Sequence, residues 1–399
     1  MTKHPALWVA AALLAGLAPA ARAQVELKAI HGSSPTDIWV VGEAPAALHW
    51  DGQAWNEVPF GVSRPGTMFG VWAGGPRDVF AVGDGGAVLH FDGGSWSRMT
   101  VPTSQQLVAV TGRGAGDVYV LAQSSNDREA PQLLHWDGHA WTATALPLPF
   151  RAGALALAGR DVVVAGFVYY DPRPSERRQA GVVARWSVGR WAATGWDGQK
   201  VADAVAGAAG WTGLSASGST LLLFGEREDG TRAIASGGGA GWTLLPPAAS
   251  AMSRTQVRLV TLAGDATPVA LYEGDGFARF AAGRWTAVSG QAAMMQMMYG
   301  QPQPGATPEQ QQAAAARQQQ LMAQLQSNPM MMALRMQAFD MSRAAAVWGT
   351  SAADFYVVSE GGRIVHVTGD VAAIVYDAAC ADPSAGANPI CQALQAGHQ

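Results

Sequence analysis

A segment of about 40 residues recurs along this chain, and the recurrence constrains the fold more than any composition does. A unit that short cannot bury a core alone and must stack against its own copies. The clearest copies are residues 27–60, 68–102 and 107–147. Each carries Asp-apolar-aromatic, at Asp37-Ile38-Trp39, Asp78-Val79-Phe80 and Asp117-Val118-Tyr119. Each also carries His-aromatic-Asp-Gly-x-x-Trp, running from His49 to Trp55, His90 to Trp96 and His135 to Trp141. Weaker copies at 152–196, 211–247 and 257–289 close at Trp191, Trp242 and Trp285, and the first of them keeps Asp161. A last copy, 344–378, restores Val347-Trp348-Gly349, Asp354-Phe355-Tyr356 and His366, so the sequence reads as seven repeats.

Each copy divides into four short apolar runs separated by turn residues. In the second copy these are 68–73, 78–83, 87–91 and 95–100, parted by Gly74-Gly75-Pro76, Asp84-Gly85-Gly86 and Asp92-Gly93-Gly94. Asp-Gly and Gly-Gly supply the positive φ that tight hairpins need. Four antiparallel strands per repeat make one propeller blade, so the expected fold is all-β, a seven-bladed β-propeller. A chain that is 49% hydrophobic, with 48 Gly and 15 Trp, has the apolar and turn residues for it. First and last repeats both look complete, and no split blade is evident.

The core Gly-x-x-Gly-x-apolar-x-His-x-Asp-Gly-x-x-Trp, as in residues 83–96, resembles exported bacterial propeller repeats related to photosynthesis-system assembly factors. It is more distantly similar to sialidase-type Asp-box (BNR) propellers, without their Ser-x-Asp-x-Gly order or arginine triad. WD40 repeats match less well, because Trp50-Asp51, Trp136-Asp137 and Trp196-Asp197 precede a Gly turn instead of ending a strand. The resemblance to assembly factors implies a binding platform.

His49, His90, His135 and His366 occupy equivalent positions in separate repeats, which points to structural hydrogen bonding or packing; a channel-lining ring of imidazoles is the alternative. Asp37, Asp78, Asp117 and Asp354 are likewise structural repeat residues. Asp51, Asp92 and Asp137 precede Gly, where a carboxylate accepts turn N–H groups. Trp55, Trp96, Trp141, Trp191, Trp242 and Trp285 fall where a large side chain fills the wedge between blades. Nucleophile elbow, zincin, Walker and dinucleotide signatures are absent from the sequence, so no catalytic residue, cofactor or metal site is assigned.

Residues 1–23 read as a secretory signal: Lys3 and His4, an apolar stretch over 8–17, and Ala21-Arg22-Ala23 as a cleavage site, leaving Gln24 first. The expected product is periplasmic or secreted, with no transmembrane segment after cleavage. The only two cysteines, Cys380 and Cys391, lie in the tail 379–399 and form a local disulfide in an oxidising compartment, contributing about 3 kcal/mol through chain entropy. Blades 1–6 occupy 24–290 and blade 7 occupies 344–378.

Between them, 291–343 holds every one of the 14 Met except Met1, Met68, Met99 and Met252, among many Gln and Ala. Thr307-Pro308-Glu309-Gln310 starts a helix that runs to about Ser327, and Asn328-Pro329 starts a second through about Asp340, predicting a helical hairpin. Leu321, Met322 and Leu325 line the first helix, and Met332, Leu334, Met336 and Phe339 the second. The hairpin either packs internally, contacts a protein partner, or offers thioethers to Cu(I) through Met294, Met295, Met297, Met298 and 330–332.

The expected function is a non-enzymatic protein-interaction scaffold, with Leu321, Met322, Leu325, Met332, Met336 and Phe339 as contact residues. The alternative is a carbohydrate-binding or carbohydrate-active propeller with its site at the channel mouth. A formal net charge of -4 with no basic stripe argues against nucleic acid.

Overall fold

A computed structural model of the chain describes residues 25–194, 208–248, 256–288 and 340–381, apart from isolated positions (44, 125, 127, 128, 148, 174, 175, 188, 228, 239, 240, 275), together with 337, 338, 391, 392 and 394. These residues form seven four-stranded antiparallel sheets, each built from consecutive strands. The blades span 27–59, 68–99, 106–145, 151–194, 208–244, 257–288 and 344–377. The signal segment and the contact residues of the expected hairpin, Leu321, Met322, Leu325, Met332, Met336 and Phe339, lie outside the described residues, as do the other methionines of 294–332.

Blade 1 illustrates the pattern: Leu27–Ser34, Asp37–Gly42, Ala46–Trp50 and Trp55–Pro59. Its second strand is buried from end to end, as expected of a strand covered by blades on both sides. The turn between its third and fourth strands is closed by Asp51, whose Oδ1 accepts the N–H groups of Gln53 and Ala54, both at 2.8 Å. Asp92 and Asp137 repeat this in blades 2 and 3, and the following Gly93 and Gly138 take φ of 96° and 91°. Those backbone bonds hold the Asp51, Asp92 and Asp137 carboxyls below the usual carboxylate range.

Adjacent blades meet through apolar wedges. Trp96, on the fourth strand of blade 2, sets its edge against Trp39 of blade 1 at 5.6 Å and 87°, and meets Phe60 at 5.3 Å. Trp141 of blade 3 approaches Phe80 of blade 2 in the same way, and Trp55 of blade 1 approaches Tyr356 of blade 7. Trp191, Trp242 and Trp285 pack against the cores shared by blades 3 and 4, 4 and 5, and 5 and 6. The ring closes without strand exchange: Leu27, Ile30 and Ile38 of blade 1 share one core with Tyr356, Val358 and Ile364 of blade 7.

Replacing Trp96 by Ala should remove the wedge of the first seam and lower unfolding stability by about 3–5 kcal/mol, read as a drop in the guanidinium midpoint. A triple Asp51, Asp92 and Asp137 to Asn variant keeps the turn acceptors but not the titration. Because the three native carboxyls have lowered pKa values, their contribution is present above about pH 4 and lost as pH falls below it. The variant should therefore lose less stability than the parent between about pH 5 and pH 2.

Candidate functional site

The repeated polar side chains are occupied within the scaffold. His49 Nε2 meets Asp37 Oδ1 at 2.8 Å, and the same pair forms at His90–Asp78, His135–Asp117 and His366–Asp354, at 2.9, 2.8 and 2.7 Å. In each case the imidazole lies opposite the aromatic two residues after the Asp and packs on it. The ring centroids of Trp39–His49, Phe80–His90, Tyr119–His135 and Tyr356–His366 are 4.1, 4.5, 4.4 and 4.1 Å apart. Asp37 also accepts from Trp39 Nε1 and Ser33 Oγ. Its carboxyl is lowered, with burial opposing and the His49, Ser33 and Trp39 hydrogen bonds prevailing.

The middle blades substitute other chemistry at this position. Arg185 takes the His position in blade 4 and pairs with Asp161 at 2.7 Å, opposite Val163. In blade 6, Arg279 lies opposite Val269 and reaches into blade 7, with Nη1 2.5 Å from Asp370 Oδ1. In blade 5 the place falls to Ser236, opposite Leu222.

On the innermost strands, His31 occupies the place that Trp72 and Trp348 take in blades 2 and 7, each pairing with the aromatic of its own second strand. Trp348 lies over Gly32 and Trp72 over Gly112, where a Cβ would come within 2.6 and 2.8 Å of the indoles. His31 instead accepts the Ala73 N–H through Nδ1 at 3.1 Å, so it links blade 1 to blade 2 as a neutral imidazole. Burial pushes its pKa down to about 4.

A departure from the repeat lies at the seam between blades 7 and 1. A cleft of about 780 Å³ opens there, floored by Val25, Leu27, Val40, Leu48 and Tyr376. Its rim carries Glu43 and Glu57 from blade 1, Arg363 and Asp377 from blade 7, and Asp340, Ser342 and Arg343 from the end of the long linker. Asp377 is buried and holds Arg363 Nε at 2.8 Å. Beside the cleft an ionic chain crosses the seam: Arg343–Glu26 at 3.7 Å, Glu26–Lys28 at 2.5 Å, Lys28–Glu360 at 3.7 Å, and Glu360–Arg258 of blade 6 at 3.8 Å. The Lys28 hydrogen bond lowers the Glu26 carboxyl and, reciprocally, raises the Lys28 ammonium. The disulfide Cys380–Cys391 ties the tail directly after these cleft residues, with Cα atoms 5.2 Å apart.

Apart from glycines such as Gly361, the cleft residues belong to no recurring sequence element, since a repeat marks only what recurs. Of the tryptophans on which the carbohydrate alternative depends, Trp39, Trp72, Trp96, Trp141 and Trp211 are buried in the propeller body, while Trp50, Trp55, Trp136, Trp186, Trp191, Trp242, Trp285 and Trp348 are partly exposed. Among the described residues, no group of three or more His, Cys, Asp or Glu side chains is placed to hold a metal. Among them, too, no helix is long and apolar enough to cross a membrane.

This architecture is that of a seven-bladed β-propeller protein. A solved structure described as "YCF48 bound to D1 peptide" is similar to it with a TM-score of 0.53 at 11% identity, covering 87% of this chain and 93% of that one. The WD40 propeller domain of Doa1 is similar with a TM-score of 0.50 at 9% identity, covering 88% of this chain and 92% of the other. At such identities the likeness extends to the fold alone. No protein-family model matches the chain, and no curated protein is similar to it in sequence.

A His31→Gln variant checks the neutral imidazole. The folded pKa of His31 lies below its unfolded value, so the unfolded chain binds the extra proton between about pH 6.5 and pH 4. Stability from this residue is therefore complete above about pH 6.5 and lost as pH falls toward 4. The variant should show a shallower fall in denaturation midpoint across that window, with the parent losing on the order of 2 kcal/mol more.

Proposed function

We propose that the chain is an exported, non-catalytic β-propeller that binds a protein segment at the blade 7–blade 1 cleft, with the 291–343 linker as a second contact element. The observation that carries this reading is the cleft itself, whose apolar floor and charged rim lie together over about 780 Å³. A stretch of polypeptide offers both kinds of group along one backbone, with N–H and C=O groups to spare for the rim. The linker supports its own role because its last residues, Asp340, Ser342 and Arg343, line the same cleft. The peptide-bound YCF48 structure is an example of this fold holding a peptide. Export is supported by the signal-like residues 1–23 and by a disulfide, which persists in oxidising compartments.

A photo-crosslinking residue placed at Glu57, and separately at Met332, tests the contact surface. The expected result is one shared protein adduct from both positions and none from Arg190, in the hairpin turn of blade 4. Adducts from Arg190 alone, or from no position, would overturn the reading. Mass analysis of the protein recovered from its native cells should give a chain beginning at Gln24 with both cysteines oxidised. A chain retaining Met1 with free thiols would refute export.

A further inference from the structure

Every described linker between successive blades drops an apolar side chain into the seam it crosses. Phe60 is buried in the core shared by blades 1 and 2, and Val101 packs on that of blades 2 and 3. Leu146 and Phe150 lie in the next seam, Ala248 in that of blades 5 and 6, and Ala338 and Met341 in that of blades 6 and 7. The seam between blades 7 and 1 is different in kind, because the two ends of the ring meet there and no linker runs between its blades.

Strand register identifies the residue that stands at the plug position. Ala46 pairs with Pro59, Gln132 with Ala145 and Arg363 with Asp377, and in each blade the next residue donates its N–H to the carbonyl preceding the third strand. These bonds are Phe60 to Pro45 at 3.1 Å, Leu146 to Pro131 at 2.8 Å and Ala378 to Gly362 at 2.9 Å. Ala378 is therefore the counterpart of Phe60 and Leu146, reduced to a methyl group. The residues around the vacancy keep their character: Leu27, Val40 and Leu48 of the cleft floor correspond to Met68, Ala81 and Leu89, which pack with Phe60.

A second difference points the same way. Asp84 of blade 2 accepts the N–H of Thr67, from the incoming linker, at 3.0 Å. Its counterpart is Glu43, whose backbone N–H donates to Glu26 O at 2.9 Å as that of Asp84 donates to Thr67 O at 3.0 Å. The Glu43 carboxylate makes no hydrogen bond among the described residues and acts on Lys28 only through its field, and that of Glu57, on the same rim, makes no hydrogen bond or ion pair among them.

We infer that the blade 7–blade 1 cleft is a plug site that the described residues leave unfilled, and that it receives an extended segment of a partner protein supplying one bulky apolar side chain, Phe or Leu, close to a basic residue. The apolar side chain takes the place Phe60 has in the first seam, and the basic residue meets Glu43 and Glu57. This rests on the protein-binding reading and specifies its ligand.

A labelled synthetic peptide with the sequence of residues 57–66, Glu-Val-Pro-Phe-Gly-Val-Ser-Arg-Pro-Gly, serves as the probe, because it carries the Phe60 plug and the Arg64 charge. Anisotropy titration of the full chain should show saturable binding, weakened tenfold or more when the probe's Phe is replaced by Ala. An Ala378→Phe variant, which fills the site from within, should lose binding while its thermal midpoint stays equal or rises. Should that variant fail to fold, Glu43→Lys with Glu57→Lys alters only exposed positions and should weaken binding at least fivefold, with a smaller salt dependence. Binding that ignores the probe's Phe, or that survives both variants, overturns the inference. Self-association lost in Ala378→Phe would also overturn it, making a second copy the occupant. If the peptide fails while Glu57 still yields a shared protein adduct, the plug chemistry is wrong and protein binding stands.

Discussion

The wedge of aromatic side chains between neighbouring blades is the interaction on which the rest of the molecule depends. A four-stranded blade has two apolar faces and little core of its own, so it becomes stable only when both faces are covered. In three seams the tryptophan of the fourth strand meets the aromatic of the preceding blade's second strand: Trp96 meets Trp39, Trp141 meets Phe80 and Trp55 meets Tyr356. Such contacts bury large area at low entropic cost, and their edge-to-face geometry fixes the angle at which blades meet. With all seven blades complete, side-chain contact closes the circle among the described residues. The core joining Leu27, Ile30 and Ile38 to Tyr356 and Val358, with the ionic chain beside it, does at one seam what a covalent linker assists elsewhere.

That arrangement also explains where the repeated polar residues end. A histidine repeated in four blades would suggest chemistry if the copies converged. Each instead satisfies the aspartate of its own blade and packs on its own aromatic, so the set amounts to one local solution used four times. A buried carboxylate such as Asp37 requires these donors, since leaving it unpaired would cost more than any of the bonds returns. The positions this local solution leaves over are those where the repeat is broken. The break at the end of blade 7 coincides with the return of the long linker, which brings Asp340 and Arg343 to the same opening.

The blade pattern was plain from the Asp-aromatic and His-to-Trp elements, because turn chemistry and strand period act within a few residues of one another. The disulfide between the only two cysteines was equally direct. The pairing of His49 with Asp37 was not, because it depends on the register of two strands; the sequence marked both as structural without joining them. The Arg185 and Arg279 substitutions hid the middle blades for a related reason, since a guanidinium reaches farther than an imidazole and finds a different partner in each case. The cleft was the least visible of all. Ala378 is unremarkable in a tail rich in Ala, and acquires meaning only when register sets it beside Phe60 and Leu146.

Sequence alone determined the number of blades and the strands within each, because these follow from local periodicity repeated seven times. Tertiary structure decided how the ring closes and what the closure leaves open. Two chain ends more than three hundred residues apart meet at one seam, and only their meeting, without a linker to fill the gap, makes a cleft there.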